Sequence, residues 1–198
     1  MNQAMIIMCG LQCCGKSTTA NKLKNDLGIE MISTDSERLA SNFDTANRGL
    51  LERFVIYNRI LKKAETFLRQ GRSVVLDGTF YLRILRQAAY YVAFETNSNA
   101  YVIECICCNL KKIRERYENR KKNNYMLEAF ESWTKIEGYK AKFSEFEPLY
   151  KEVLPDGTPA SIIRYNTETA NAEIIYSDGS ETIQRIIEAI NNPVKVKV

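Results

Sequence analysis

Apolar residues follow two rhythms along this chain. Short runs at residues 4–8, 73–76 and 101–108 are apolar almost throughout and rich in β-branched or aromatic side chains, which predicts buried strands; residues 30–33 predict a brief one. Between them lie segments with a helical period. Residues 16–27 set Ala20, Leu23 and Leu27 on one face, with Gly28 as a stop. Residues 50–70 predict a long amphipathic helix with Leu51, Phe54, Val55, Ile60, Leu61, Ala64 and Leu68 turned inward, ended by Gly71. Further helices are predicted at residues 81–95, 110–122 and 125–146, the last with a break near Gly138. Past Pro148, a loop rich in Pro and Gly precedes strands at 161–165 and 173–176 and a closing helix at 181–190. This alternation predicts an α/β fold, a central parallel β-sheet with helices on both faces.

Composition narrows the picture. The chain has 198 residues, 45% hydrophobic and 26% charged, as expected of one soluble globular domain over residues 1–192 with a tail at 193–198. The net charge of +4 is compatible with a polyanionic partner and too small to argue for one. No run is long enough to cross a membrane and the apolar start lacks a positive leader, so the expected compartment is the cytoplasm. Six cysteines fit reduced, buried thiols there. Metal binding by Cys105, Cys107 and Cys108 is the sharper alternative, but there is no second cysteine pair at zinc spacing. The chain has no histidine, so a general base at neutral pH must be a carboxylate or a less usual group.

The strongest chemical signal is Gly10-Leu11-Gln12-Cys13-Cys14-Gly15-Lys16-Ser17, between the first strand and the first helix. This is the P-loop pattern. Its glycines let successive N–H groups point into one concavity, and the following helix adds the partial positive charge of its N-terminus. Gly10, Cys13, Cys14, Gly15, Lys16, Ser17 and Thr18 are therefore the candidate nucleotide-binding residues, with Lys16 reaching the terminal phosphates and the Ser17 hydroxyl on Mg²⁺. Cys13 and Cys14 are either small residues that fit the loop or thiols made oxidation-sensitive by Lys16 and the helix N-terminus.

A P-loop alone does not separate a kinase from a switch or a motor, but the guanine-binding and switch segments of GTPases are absent. Ser33-Thr34-Asp35-Ser36-Glu37-Arg38 follows the second strand, and ligand sites of parallel sheets lie at the carboxyl ends of strands. There Asp35 can orient and deprotonate an acceptor hydroxyl while Arg38 clamps an anionic group; alternatively, Asp35 caps the helix that follows. Asp77, after the third strand, can enter the Mg²⁺ shell or contact the acceptor. Arg116 and Arg120 share one helix face and can close over a triphosphate, or belong to a solvated basic face with Lys111, Lys112, Arg114, Lys121 and Lys122.

Together these motifs resemble the P-loop kinases related to polynucleotide 5′-hydroxyl kinase, zeta toxins and seryl-tRNA kinase. The likeness spans residues 4–147 and rests on the P-loop, Asp35-x-x-Arg38, Asp77-x-Thr79 and the paired lid arginines. It implies a P-loop NTPase fold with a helical lid at about residues 111–125. By the same resemblance Asp35 is the acceptor-activating base, Arg38 an acceptor or phosphate ligand, and Arg116 and Arg120 the lid arginines that act with Lys16 in catalysis. The stretch 76–81 followed by Arg83 and Arg86 is similar to seryl-tRNA kinase in particular, whereas Arg164-Tyr165-Asn166-Thr167 departs from the group's usual segment near adenine. The implied activity is ATP-dependent phosphoryl transfer to a hydroxyl acceptor, a polynucleotide 5′ end or an aminoacyl-tRNA. A small-molecule acceptor (sugar, nucleoside or antibiotic) and an ATP-binding regulatory protein are the other two readings.

Overall fold

The computed structural model describes residues 2–41, 50–122 and 146–191. The helix expected at 125–146, the far end of the expected lid and the tail at 193–198 lie outside the described residues, apart from Phe146.

Strands β1 (Ala4–Cys9), β2 (Glu30–Ser33), β3 (Val74–Asp77), β4 (Asn99–Ile106), β5 (Ser161–Asn166) and β6 (Asn171–Tyr176) form one sheet in the order β2-β3-β1-β4-β5-β6. All pairings are parallel except β5 with β6, which is antiparallel. The expected parallel sheet therefore ends in a hairpin, because the β5–β6 connection is too short to carry a crossover.

Six described helices flank the sheet: α1 (Lys16–Leu27), α2 (Thr34–Ala40), α3 (Leu50–Arg69), α4 (Arg83–Glu95), α5 (Leu110–Lys122) and α6 (Glu181–Asn191). Strand β1 shows how they divide the core. Side chains alternate across a strand, so Ala4, Ile6 and Met8 join one apolar cluster with Leu23 of α1, Ile113 of α5 and Ile186 of α6. Met5, Ile7 and Cys9 join the other, with Ile60 and Leu68 of α3 and Ala89 of α4. All six β1 residues are fully buried, each large one contributing about 1.5–3 kcal/mol by leaving water.

The inward face of α3 differs from expectation in its first turns. Leu51 and Phe54 are exposed, whereas Ile56 and Tyr57 are buried. Ile60, Ala64 and Leu68 fix the face against the sheet, and stepping back from them by three or four residues reaches Tyr57, not Phe54. The cysteine-rich strand is also shorter than expected. It stops at Ile106, leaving Cys105 and Cys107 buried and Cys108 exposed beyond its end. Among the described residues no cluster of His, Cys, Asp and Glu could hold a metal ion of the zinc type, and no helix is long and apolar enough to cross a membrane.

Candidate active site

The loop from β1 to α1 is built by backbone conformations that few residues adopt. Gly10 has φ 134°, and a Cβ placed there would lie 2.3 Å from the carbonyl oxygen of Cys105, so only glycine lets β1 and β4 stay this close. Gly15 stands at the N-terminus of α1 in the left-handed region. Cys13 is left-handed too, at φ 58°, a conformation that costs a side-chain-bearing residue about 1–2 kcal/mol. Lys16 is buried, and its ammonium donates to the Leu11 carbonyl at 2.6 Å, across the mouth of the loop.

Burial pushes the Cys13 thiol above its ordinary pKa despite the opposing pull of Arg120, Lys16 and Arg116. Desolvation of the thiolate thus outweighs the neighbouring charges at Cys13, which favours the reading of this residue as one that fits the loop. Cys105, beneath the loop, is pushed up to about 12 by the same burial.

β3 ends alongside β2, with Asp77 in register with Ser33. Burial raises the Asp77 carboxyl above its usual range; Lys16 and a hydrogen bond from Ser17 oppose the rise, Asp35 adds to it and Arg120 opposes it. Those influences define a neighbourhood. Phosphate-loop lysine, Ser17 hydroxyl, Asp35 carboxylate and one lid arginine all act on one buried carboxylate at the carboxyl ends of β1, β2 and β3. Ser17 and Asp77 are hard oxygen donors within hydrogen-bond reach of each other, a pair suited to Mg²⁺.

Asp35 is not the helix cap. Ser33 occupies the N-cap of α2, and its hydroxyl accepts from the Asp35 N–H at 3.2 Å. The Asp35 side chain is 72% exposed and paired with Arg38 at 3.1 Å. Arg38 in turn donates to Glu52 of α3 at 3.0 Å. Glu37 faces inward and pairs with Lys63 and Arg59.

The two lid arginines part company. Arg116 donates to the Cys13 carbonyl at 3.0 Å and to both oxygens of Thr167, so it is no member of a solvated face. Arg120 is half-buried and acts electrostatically on Cys13 and Asp77. Thr18, in the first turn of α1, is exposed.

Several contacts that hold the site join residues far apart in the sequence. Thr167, after β5, donates to the Cys14 carbonyl at 2.8 Å and crowds Gly15, locking the phosphate loop from behind. Tyr57 of α3 is bonded to Thr79 and Phe80. Arg86 is fully buried and donates to Glu152 at 2.6 and 2.8 Å, to Phe80 O and to Glu147 O; Tyr90 also donates to Glu152. This network fastens the chain at residues 147–152 to the loop after β3. Arg86 is thus a structural group, closed to any nucleic acid, while Arg83 is exposed and donates to Lys151 O. Nothing in the local sequence distinguishes the two arginines.

A family model described as an AAA domain, AAA_33, matches residues 5–143. An uncharacterized protein of Mycobacterium tuberculosis is 31% identical over 102 residues, which is 46% of this chain and 20% of that protein, so the chain spans about a fifth of the curated relative it matches. Among solved structures, Chaetomium thermophilum Kti12 in complex with ADP-AlF3 superposes with a TM-score of 0.61 at 16% identity, covering 94% of this chain and 95% of that one. Mycobacterium tuberculosis APS kinase CysC in complex with AMPPNP and APS gives 0.54 at 18% identity, covering 96% and 99%. At these identities the likeness is one of fold, the fold of P-loop kinases.

Proposed function

Because the chain belongs to the AAA_33 family of AAA domains, we propose that it is an ATP-dependent kinase transferring the γ-phosphoryl group of MgATP to a nucleic-acid hydroxyl, a polynucleotide 5′ end or an aminoacyl-tRNA. The observation that carries this reading is the β1–α1 loop, with left-handed Gly15 and buried Lys16 at the N-terminus of α1, beside the ends of β3 and β2, where Asp77 is in register with Ser33 and Asp35 follows. A phosphate loop faces an exposed carboxylate across one strand end, an arrangement suited to in-line transfer. The solved neighbours that hold AMPPNP and ADP-AlF3 support a nucleotide in this loop.

In this reading Gly10, Cys13, Cys14, Gly15, Lys16, Ser17 and Thr18 cradle the triphosphate, with Lys16 on its terminal phosphates. Ser17 and Asp77 would hold Mg²⁺, which when bound would supply positive charge to the phosphates. Asp35 accepts the proton of the attacking hydroxyl. Arg38, held by Asp35 and Glu52, clamps the acceptor. Arg120 stabilises the migrating phosphoryl group, and Arg116 joins it from α5, the lid, by exchanging its carbonyl partners for phosphate.

A small-molecule acceptor is the second reading, favoured by one observation. The cations beside β2 are already matched by carboxylates: Arg38 by Asp35 and Glu52, Lys63 by Glu37. The test is transfer of labelled γ-phosphate from ATP to 5′-hydroxyl DNA and RNA, to total and aminoacylated tRNA, and to pooled nucleosides and sugars. Labelling of nucleic acid that weakens steeply with salt supports the first reading. Labelling of a neutral small molecule, insensitive to salt, replaces it with the second.

A further inference from the structure

The loop between β3 and α4 carries an unusual backbone. Phe80 is left-handed at φ 41°, a strained state for a bulky residue, of order 1–3 kcal/mol. It persists because its surroundings hold it from every side. Its ring is fully buried and packs edge-on against Tyr57, centroids 4.8 Å apart. Its carbonyl accepts from Arg86 at 2.7 Å and from the Cys9 thiol, and its N–H donates to the Tyr57 hydroxyl oxygen at 3.1 Å. Gly78 makes room for this: a Cβ there would come within 3.1 Å of that same hydroxyl.

The consequence lies one residue back. The Tyr57 hydroxyl is buried, and burial raises its pKa, so it keeps its proton. Its oxygen already accepts from Phe80 N–H. Among the described residues the only acceptor within reach of its proton is the Thr79 hydroxyl oxygen, at 3.1 Å. A buried hydroxyl proton left without an acceptor would cost about 1–3 kcal/mol, which fixes the direction: Tyr57 donates and Thr79 accepts. A threonine hydroxyl has one proton. With Tyr57 donating to it, Thr79 must send its own proton elsewhere, and Thr79 is only half-buried, two residues beyond Asp77 at the carboxyl end of β3.

We propose that Tyr57 is a positioning residue that fixes the polarity of the Thr79 hydroxyl, so that Thr79 presents its proton to an oxygen of the molecule receiving the phosphoryl group. Any acceptor that binds here needs an oxygen lone pair facing Thr79, in addition to the hydroxyl that attacks. This role rests on the proposed kinase reading and adds to it a requirement on the acceptor. Tyr57 touches no substrate; it acts through Thr79.

Steady-state transfer from ATP to a 5′-hydroxyl oligonucleotide tests it, on the full chain, with Tyr57→Phe, Thr79→Val, Thr79→Ser and the Tyr57→Phe/Thr79→Val double variant. Thr79→Val is expected to lower kcat/KM for the oligonucleotide at least tenfold, and Thr79→Ser to retain most of it. Tyr57→Phe, which keeps the ring, is expected to lose about tenfold with KM for ATP unchanged, and to lose nothing further in the Thr79→Val background. Full activity of Tyr57→Phe overturns the proposal. So does a Tyr57→Phe loss that persists undiminished beside Thr79→Val, or one that appears equally in KM for ATP, since either would mean a purely structural role. No transfer by the parent protein to either the oligonucleotide or aminoacylated tRNA overturns instead the reading on which the role rests, and is told apart by needing no variant.

Discussion

Around the β1–α1 loop, the contacts that fix the site end on main-chain atoms: Gly10 N–H on Thr79 O, Thr167 on Cys14 O, Arg116 on Cys13 O. Beside β2, they run from side chain to side chain: Asp35 to Arg38, Arg38 to Glu52, Glu37 to Lys63. The first region is thus specified by shape, and its tolerance to change is set by sterics. The second is specified by charge pairs between side chains of α2 and α3, and apart from buried Glu37 its residues can be exchanged with little damage to the core. A fold organised this way can keep one phosphate cradle while its acceptor end varies.

The comparison breaks first at Gly10. Gly10→Ala is expected to destabilise the chain by about 3–5 kcal/mol, because the new methyl group meets the Cys105 carbonyl at 2.3 Å in a backbone conformation alien to alanine. Urea unfolding reads this directly, and a shift under about 1 kcal/mol would show that β1 and β4 separate easily.

At the acceptor end the opposite is expected. Asp35→Asn should leave stability within about 0.5 kcal/mol, since the side chain is 72% exposed. It should nevertheless lower phosphoryl transfer by about 10²–10⁴, with ATP binding intact. Unchanged transfer would remove Asp35 as the base.

Asp77 stands between the two regions and sharpens the contrast through pH. Burial raises its folded pKa, so the folded chain holds that proton more tightly than the unfolded one. The ionised carboxylate therefore costs nothing below the ordinary value of 3.8 and destabilises the Mg²⁺-free protein as pH rises through the folded value. Asp77→Asn is expected to melt above the parent at pH 7, with the gap closing as pH falls towards 3.8. Mg²⁺ with ADP should then stabilise the parent more than the variant. A variant less stable than the parent at neutral pH would refute the assignment.

The smallest effect concerns the thiols. With Cys13 buried and pushed up in pKa, mild peroxide should leave ATP turnover unchanged, while exposed Cys108 takes up a thiol reagent first. Inactivation that survives Cys108→Ser would restore the oxidation-sensitive reading of the phosphate loop.

Legibility in the sequence follows the same division. The cradle lies within eight consecutive residues, and α1 runs over Lys16–Leu27 as its periodicity and Gly28 foretell. Asp35 and Arg38 are three apart on one helix, so their meeting is also local. What stayed hidden is long-range. Tyr57 reaches Thr79 across 22 residues and Thr167 reaches Cys14 across 153. A tyrosine in an apolar stripe carries no mark of its hydroxyl's partner, and Thr167 lies beyond β5, far in sequence from the loop that it holds. The α3 face was misread in its first turns for a related reason: Leu51 and Phe54 are more apolar than Tyr57, but packing against β1 and β3 selects by angle around the helix, not by hydrophobicity.

The central place of β1 has a consequence for synthesis. Strand β1, with all six residues destined for full burial, is synthesised before both of its neighbours, β3 and β4. At about 5–20 residues per second, β3 follows only after several seconds, and β4 later still. Throughout that interval the nascent chain carries a bare apolar strand next to an incomplete phosphate loop, a natural segment for a chaperone to shield.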